Sequence, residues 1–167
     1  MFGDPVNPSA ADPSFREAMS LLPTGVTVVT APGPDAPAGA TANAVASLSL
    51  DPQLMLACLD RGSRTLLAVQ AADCFGVNVL SAVQEDLARA FSTKAPAAEK
   101  WRDVSWSDLA GVPAIDGTLV QVACSLRDVI SGGDHVIVTG EVTALRSAEG
   151  DPLLFHRGAY RALRAPG

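Results

Sequence analysis

The chain has 167 residues, of which 48% are hydrophobic and 18% charged, so one domain can bury a sizeable core without disulfides or structural metals. Its formal net charge of -6 and the scattering of its 12 basic residues exclude a nucleic-acid surface, which needs clustered lysine and arginine. Because no apolar run approaches the ~20 residues of a bilayer crossing, and no basic segment precedes an apolar one at the N-terminus, we expect a cytoplasmic protein without a membrane partner.

The first half of the chain predicts a short helix followed by an antiparallel meander. Residues 1–13 carry prolines and little apolar content, which predicts a flexible N-terminal arm before a single domain at 14–167. Ser14 and Glu17 form a capping box for a helix through Leu22. The elements expected next are a strand at 26–30, a turn at 32–39, a strand at 39–50 and a buried strand at 53–59.

The predicted strand at 39–50 is unusual because small hydroxyl and amide side chains stand where a core strand would carry large apolar ones. One face of such a strand would present Thr41, Asn43, Ser47 and Ser49. A solvated outer face, common in antiparallel sheets, is one interpretation. A binding site is the other, because the run has no Lys, Glu or Arg and its short side chains leave room for a flat ligand.

The second half predicts two helices among further strands. A helix is expected at 64–71 and a strand at 75–80. A second helix, capped by Ser81, would carry an apolar stripe of Val83, Leu87, Ala90 and Phe91. A mobile loop at 92–100 would follow, and then strands at 118–127 and 135–146 with a turn at 131–134. Several strands without a regular βαβ repeat favour a mainly β fold that closes, or nearly closes, into a barrel.

Familiar catalytic motifs are missing from the sequence. It has neither a nucleophile elbow nor a Walker loop nor G-x-G-x-x-G, and His135 and His156 are its only histidines. Cys58, Cys74 and Cys124 are too far apart for a zinc site or a disulfide framework, and the apolar runs around Cys58 and Cys124 predict buried, inert thiols. We therefore expect no metal, and a flavin, which supplies its own chemistry, suits the polar strand.

Five motifs occur in a characteristic order. They are P-T-G-V-T-V-V-T (23–30), A-T-A-N-A-V-A-S-L-S-L-D-P (40–52), F-G-V-N-V-L-S (75–81), G-D-H (133–135) and H-R-G-A-Y (156–160). This series resembles the short-chain flavin reductases, the reductase components of two-component flavin-dependent monooxygenases, over about 15–163. The resemblance implies an FMN-binding split β-barrel, Greek-key-like and antiparallel with a few flanking helices, usually as a homodimer.

The same resemblance implies an activity and several alternatives to it. A flavin reductase would reduce FAD or FMN with NADH or NADPH and release the reduced flavin to a partner monooxygenase. A split-barrel oxidase that holds its flavin tightly, or a noncatalytic flavin carrier, is consistent with the same motifs. The motifs distinguish neither FAD from FMN nor NADH from NADPH.

The resemblance also implies roles for individual residues on the flavin side. Thr41, Ala42, Asn43 and Ser47 would lie beside the flavin ring and ribityl chain, and Cys58 and Leu59 would line the next strand end. Ser63 and Thr65 would hold a phosphate at a helix N-terminus, with charge from Arg61 or Arg64, although Ser63 is also a plain N-cap candidate. Phe91 would pack near the flavin or serve as a core residue of its helix.

On the nicotinamide side, Gly133, Asp134 and His135 would match the family's signature, with His135 as the catalytic residue. Asp134 can fix the imidazole tautomer, and the alternative is a surface turn with an incidental histidine. Tyr160 would cover the nicotinamide site or fill the barrel mouth. Trp101 and Trp106 would cover an adenine or seal a dimer contact, and the sequence interpretation favours the second.

Overall fold

A computed structural model of the chain describes residues 13–163, which form four helices and twelve strands. The helices are α1 (Phe15–Met19), α2 (Arg64–Ala72), α3 (Glu85–Ser92) and α4 (Ala97–Lys100). The strands are β1 (Thr24–Gly25), β2 (Thr27–Ala31), β3 (Ala38–Ala42), β4 (Val45–Leu50), β5 (Gln53–Asp60), β6 (Cys74–Val79), β7 (Trp106–Leu109), β8 (Val112–Ile115), β9 (Val120–Gly132), β10 (His135–Ser147), β11 (Leu153–His156) and β12 (Ala159–Ala162). Apart from residue 13, the predicted N-terminal arm lies outside the described residues.

A seven-stranded antiparallel sheet dominates the fold, in the order β3-β2-β6-β9-β10-β5-β4. Strands β3 and β4 follow one another in the sequence, yet they occupy opposite edges of this sheet. The chain crosses between the edges at Asn43 and Ala44, where the Cys58 N–H donates to the Ala44 carbonyl at 2.8 Å. The sheet therefore curls until its edges meet, which confirms the predicted nearly closed antiparallel barrel.

The same crossing overturns the prediction of one continuous strand at 39–50. The run breaks after Ala42, whose carbonyl accepts a 2.5 Å hydrogen bond from the Thr27 hydroxyl. The pairing of β4 with β5 is interrupted again by a register shift between Ser47 and Ser49. The four polar side chains of the run consequently do not share one strand face.

Strand β2 lies between two of the three buried clusters of the core in residues 13–163. All five of its residues are buried, so side chains of both parities are covered. On one side Val29 packs in a cluster that includes Leu66 of α2, and on the other Val28 packs in a cluster with Phe91 and Trp101. Trp101 is only 7% exposed, so the interpretation of Trp101 as a dimer contact is wrong, and this residue is part of the core.

Other differences from prediction concern the segment after β6. Helix α3 begins four residues beyond Ser81, whose N–H donates to Gln84 Oε1 at 3.0 Å, and Val83 is 91% exposed and outside the apolar stripe. The predicted loop at 92–100 contains α4. The hairpins β7–β8 and β11–β12 and the short strand β1 were not predicted, because their runs are short and interrupted by Pro or Gly.

The buried amide of Asn78 holds the β7–β8 hairpin against the barrel. Its Oδ1 accepts from the Ile115 N–H at 2.8 Å, and its Nδ2 donates to the Val28 carbonyl at 3.2 Å and to the Thr30 hydroxyl at 3.3 Å. A buried amide with partners on both its oxygen and its nitrogen is stable in a core. One side chain thus joins three strands, β2, β6 and β8.

Substitution of Gly140 by alanine is expected to destabilise the barrel. A Cβ at this position on β10 would stand 2.5 Å from Phe75 Cε1 and 2.8 Å from Cys124 Cβ, and both neighbours are fully buried. We expect Gly140→Ala to lower the free energy of unfolding by about 1–3 kcal/mol in urea denaturation, the usual cost of overpacking. Gly25→Ala is the control, because a Cβ there meets no atom of residues 13–163 within 4 Å. Equal effects of the two variants would contradict the packing argument.

Candidate active site

A cavity of about 830 Å³ opens where the two edges of the barrel meet. It is lined by residues 38–44, 58–60, 62–65 and 91–95, together with Val26, Ala97, Lys100, His135, Phe155 and Tyr160. Small-molecule sites in proteins are clefts of about 300–1,000 Å³ with a few polar groups in a mostly apolar lining. The volume lies in the upper part of this range, so the cavity can hold a large small-molecule ligand with several polar groups.

The cavity brings together most of the predicted site residues. Those that line it are Thr41, Ala42, Asn43, Cys58, Leu59, Ser63, Thr65, Phe91, His135 and Tyr160. Three others do not line it: Ser47 is exposed on β4, opposite Met55, and Gly133 and Asp134 form the turn before β10. Ser47 lies beyond the crossing at Asn43, which separates it from the residues expected to act with it.

The hydroxyl of Thr41 can form fewer hydrogen bonds with a ligand than a free hydroxyl could. Its Oγ1 donates to the Ala88 carbonyl of α3 at 2.6 Å, so the hydroxyl hydrogen is used within the protein. The oxygen's lone pairs remain available as acceptors. Beside it, Ala42 is buried and Asn43 is exposed, so this wall offers backbone groups and one amide side chain to a ligand.

The N-terminus of α2 forms an anion-favouring wall of the cavity. Ser63 is the N-cap, and its hydroxyl accepts from the Thr65 N–H at 3.1 Å, which confirms the N-cap interpretation. The first turn of a helix has N–H groups without helical acceptors and carries the positive end of the helix dipole. Both features favour a negatively charged ligand group at Ser63 and Thr65.

The two arginines considered as phosphate ligands have different surroundings. Arg64 lines the cavity, and its guanidinium donates to the carbonyls of Lys94, at 2.7 Å, and of Ala95. Arg61 does not line the cavity, because its guanidinium lies on the turn before β10. Of the two, only Arg64 contributes charge to the cavity wall.

Lys100 fixes the wall formed by the segment 92–100. Its Nζ donates to the Gly39 carbonyl at 3.3 Å and to the Phe91 carbonyl at 3.2 Å. Burial, and secondly repulsion from Arg64, lower the pKa of Lys100 below its ordinary value. The sequence interpretation of this segment as a mobile loop missed Lys94 and Lys100 as lining residues, although two lysines near a predicted phosphate site were a signal for them.

Phe91 combines the two roles that the sequence left open. It is 1% exposed in the core and also lines the cavity. Its ring meets Trp101 edge to face, with the ring centroids 5.0 Å apart. A Cβ at Gly39 would overlap the Phe91 ring, so the close approach of β3 to α3 requires glycine there.

His135 begins β10 and pairs with Asp60 of β5 and Gly132 of β9. Its Nδ1 lies 2.8 Å from Asp134 Oδ1, and this hydrogen bond lowers the pKa of Asp134 below its ordinary value. The contact assigns the proton to Nδ1 and leaves Nε2 as the ring nitrogen available to a ligand. The geometry agrees with the predicted role of Asp134 in fixing the tautomer.

Tyr160 lies on β12, where its ring packs edge to face on Phe155 with the centroids 5.3 Å apart. The guanidinium of Arg89 lies 5.0 Å from the Tyr160 ring centroid, and Arg89 is itself paired with Glu85 at 2.5 Å. Burial raises the pKa of Tyr160 against the opposing effect of Arg89, so the phenol is neutral at physiological pH. Tyr160 therefore offers the cavity an aromatic face and a neutral hydroxyl.

The cysteines agree only in part with the sequence interpretation. Cys124 is buried, and burial raises its pKa to about 12, as expected of an inert thiol. Cys58 is half-buried and lines the cavity, so the prediction of a fully buried thiol is wrong for this residue. The reason is its position on β5 beside the crossing at Ala44, where the barrel opens.

A second cavity of about 640 Å³ lies elsewhere, lined by residues 81–83, 117–119, 146–151 and Gln121. It contains none of the predicted site residues. Across residues 13–163, no helix is long and apolar enough to cross a membrane, and no three His, Cys, Asp or Glu side chains are grouped to hold a metal ion.

Comparisons with known proteins identify the family to which the chain belongs. A family described as flavin reductase like domain matches residues 19–164. The chain belongs to this family. Its barrel superposes on the NADH:FAD oxidoreductase SgcE6 of Streptomyces globisporus C-1027, solved in complex with NAD and FAD fragments, with a TM-score of 0.83 and 35% identity over 90% of this chain and 91% of that chain. The predicted family and split-barrel fold are confirmed.

Two curated relatives illustrate the sequence similarity. The FMN reductase (NADH) SmoA of Agrobacterium fabrum is 41% identical over 88% of this chain and 83% of its own length. The flavin-dependent monooxygenase reductase subunit HsaB of Mycobacterium tuberculosis is 38% identical over 90% of this chain and 81% of its own length. The chain spans 50% of the length of a probable flavin reductase of Rhizobium meliloti and 92% of the FMN reductase (NADH) RutF 2 of Rhizobium rhizogenes.

Removal of the Arg64 side chain is expected to loosen the wall at 92–95. Because its guanidinium donates to two successive carbonyls of that segment, we expect Arg64→Ala to speed tryptic cleavage after Lys94 about tenfold, the effect of losing roughly one charge-assisted hydrogen bond. The rate is measured by mass spectrometry of the native protein. Arg127→Ala, which removes an ion pair with Glu141, is the control. Unchanged cleavage after Lys94 would contradict the assigned role of Arg64.

Proposed function

We propose that this protein is an NADH-dependent flavin reductase that reduces FAD or FMN and passes the reduced flavin to a partner monooxygenase. The observation that supports it is the charge of the cavity. Among residues 13–163, three cations line it, Arg64, Lys94 and Lys100, against one carboxylate, Asp60, although the chain as a whole has a net charge of -6. A cationic cleft in an acidic protein favours ligands that carry phosphate groups.

The cavity fits a flavin nucleotide by the chemistry of its lining. Ser63, Thr65 and the first N–H groups of α2 would hold the phosphate, with Arg64 as a nearby cation. The backbone and small side chains at 41–44 would take the edge of a flat ring, because these residues line the cavity with short side chains. Phe91 would close the cavity beneath this wall.

The flavin, when bound, supplies the hydride acceptor, and the protein supplies binding and orientation. His135 would hydrogen-bond the nicotinamide nucleotide through Nε2, because Asp134 occupies Nδ1. Tyr160 would exclude water from the mouth of the cavity with its aromatic face. Proximity and alignment are what the transfer mainly needs, so no residue of the cavity has to act as an acid or a base.

The relatives support the choice of reductant, flavin and partner. SmoA is described as an NADH-dependent FMN reductase, and SgcE6 as an NADH:FAD oxidoreductase. HsaB is described as the reductase subunit of a flavin-dependent monooxygenase. We infer that this chain also uses NADH, accepts FAD or FMN, and serves an oxygenase.

Assembly and location complete the proposal. Leu48 and Leu50 are 48% and 87% exposed on β4, and a second copy in a homodimer would cover these two apolar side chains. Cys58, Cys74 and Cys124 are all free, as is usual in the reducing cytoplasm, where we place the reaction.

The proposal is tested by following the absorbance of NADH and NADPH separately while the purified protein turns over with FMN, FAD or riboflavin. We expect NADH oxidation that scales with added free flavin. Flavin binding without nucleotide oxidation would contradict the proposal and indicate a flavin carrier. Activity that depends only on flavin copurified with the protein would also contradict it and indicate an oxidase with a tightly held flavin.

Substitution of His135 by alanine is expected to weaken the binding of NADH and to leave the binding of flavin almost unchanged. Loss of one hydrogen bond to the nicotinamide nucleotide should raise the KM for NADH about tenfold, with flavin affinity changed less than about twofold. Steady-state kinetics and flavin fluorescence titration measure the two effects. His156→Ala is the matched control, because His156 does not line the cavity. Unchanged kinetics of His135→Ala would show that His135 does not contact the nucleotide.

A further inference from the structure

Arg61 connects two walls of the cavity that are far apart in the sequence. It stands between the lining residues Asp60 and Gly62, but its guanidinium lies on the β9–β10 turn. Its Nε and Nη2 donate to the Gly133 carbonyl at 3.2 and 2.8 Å, and Nη2 also donates to the Ser131 hydroxyl at 2.7 Å. The Arg61 backbone N–H donates to the Asp134 carbonyl at 3.1 Å.

These hydrogen bonds act on the two-residue loop that precedes His135. Gly132 and His135 form the last pair of the β9–β10 hairpin, so Gly133 and Asp134 are the loop. Gly133 has a φ of +78°, in the left-handed region that only glycine adopts without strain. Both loop carbonyls accept hydrogen bonds from Arg61, which fixes the orientation of both peptide groups.

The loop in turn determines where the imidazole of His135 lies. Asp134 Oδ1 is 2.8 Å from His135 Nδ1, so a tilt of the loop would move the carboxylate and rotate the ring. On the other side of Arg61, the turn at 60–63 carries Ser63, the N-cap of α2. Arg61 therefore connects the nicotinamide wall to the wall expected to hold phosphate, through its guanidinium at Gly133 and its backbone N–H at Asp134.

We propose that Arg61 is a positioning residue of the reductase site. It fixes the position of His135 relative to the N-terminus of α2 and does not contact a ligand. This inference rests on the proposed function for its kinetic consequence. Arginine suits the role because its planar fork places two donors on one carbonyl and reaches a neighbouring hydroxyl, whereas lysine has a single charged nitrogen.

The kinetic test compares Arg61→Ala and Arg61→Lys with a matched control. Arg146→Ala is that control, because Arg146 likewise donates to a serine hydroxyl, Ser107 at 3.1 Å, and to a backbone carbonyl, Asp108 at 3.3 Å, and does not line the first cavity. We expect Arg61→Ala to raise the KM for NADH about tenfold, while the flavin dissociation constant stays within about twofold. Arg61→Lys should give an intermediate KM, and Arg146→Ala that of the wild type.

A second measurement does not depend on activity. Because His135 and His156 are the only histidines, their ring resonances can be resolved by NMR and assigned with a His135→Gln variant. In Arg61→Ala we expect the His135 resonances to shift and those of His156 to stay in place, in the absence of any ligand.

The outcomes separate this inference from the proposed function. A wild-type protein that oxidises no NADH would contradict the proposed function, and the His135 resonances alone would then decide the role of Arg61. An active wild type with an unchanged KM in Arg61→Ala, or unchanged His135 resonances in that variant, would overturn the inference. A raised KM together with shifted His135 resonances would support it.

Discussion

The site depends on one constraint, the crossing of the chain from one edge of the barrel to the other at Asn43 and Ala44. The hydrogen bonds from Thr27 to Ala42 and from Cys58 to Ala44 hold the crossing on both sides. Because consecutive strands must reach opposite edges within two residues, the sheet has to curl. The cavity is the opening that this curl leaves between β3, β5 and α2.

The cavity at the crossing also concentrates positive charge in an acidic chain. An acidic chain would repel phosphate at most of its surface, yet within the described residues the cavity lining holds Arg64, Lys94 and Lys100 against a single carboxylate, Asp60. Arg64 and Lys100 are held by backbone carbonyls, and no carboxylate of residues 13–163 forms a salt bridge with either side chain. Their charge is therefore available to attract a ligand phosphate. The arrangement combines structural support of the wall with attraction for an anion.

The sequence predicted those elements whose structure depends on residues close together in the chain. The capping box at Ser14, the β-branched run of β2 and helix α2 form as expected, because propensity and burial act within a few residues. The break at Asn43 could not be predicted from alternation, since it is imposed by strands that are distant in sequence. The same reason explains Ser47, which the break removes from the cavity, and Arg61, which binds a turn some seventy residues away.

The central claim is that the cavity at the crossing, and not another surface, binds the flavin. Titration of isotope-labelled protein with FMN, followed by NMR of the backbone amides, tests it most directly. We predict that the shifted amides lie at 38–44, 58–65 and 91–95, around the crossing and the N-terminus of α2. Shifts confined to the second cavity, at 81–83, 117–119 and 146–151, or no shifts at saturating FMN, would contradict the account.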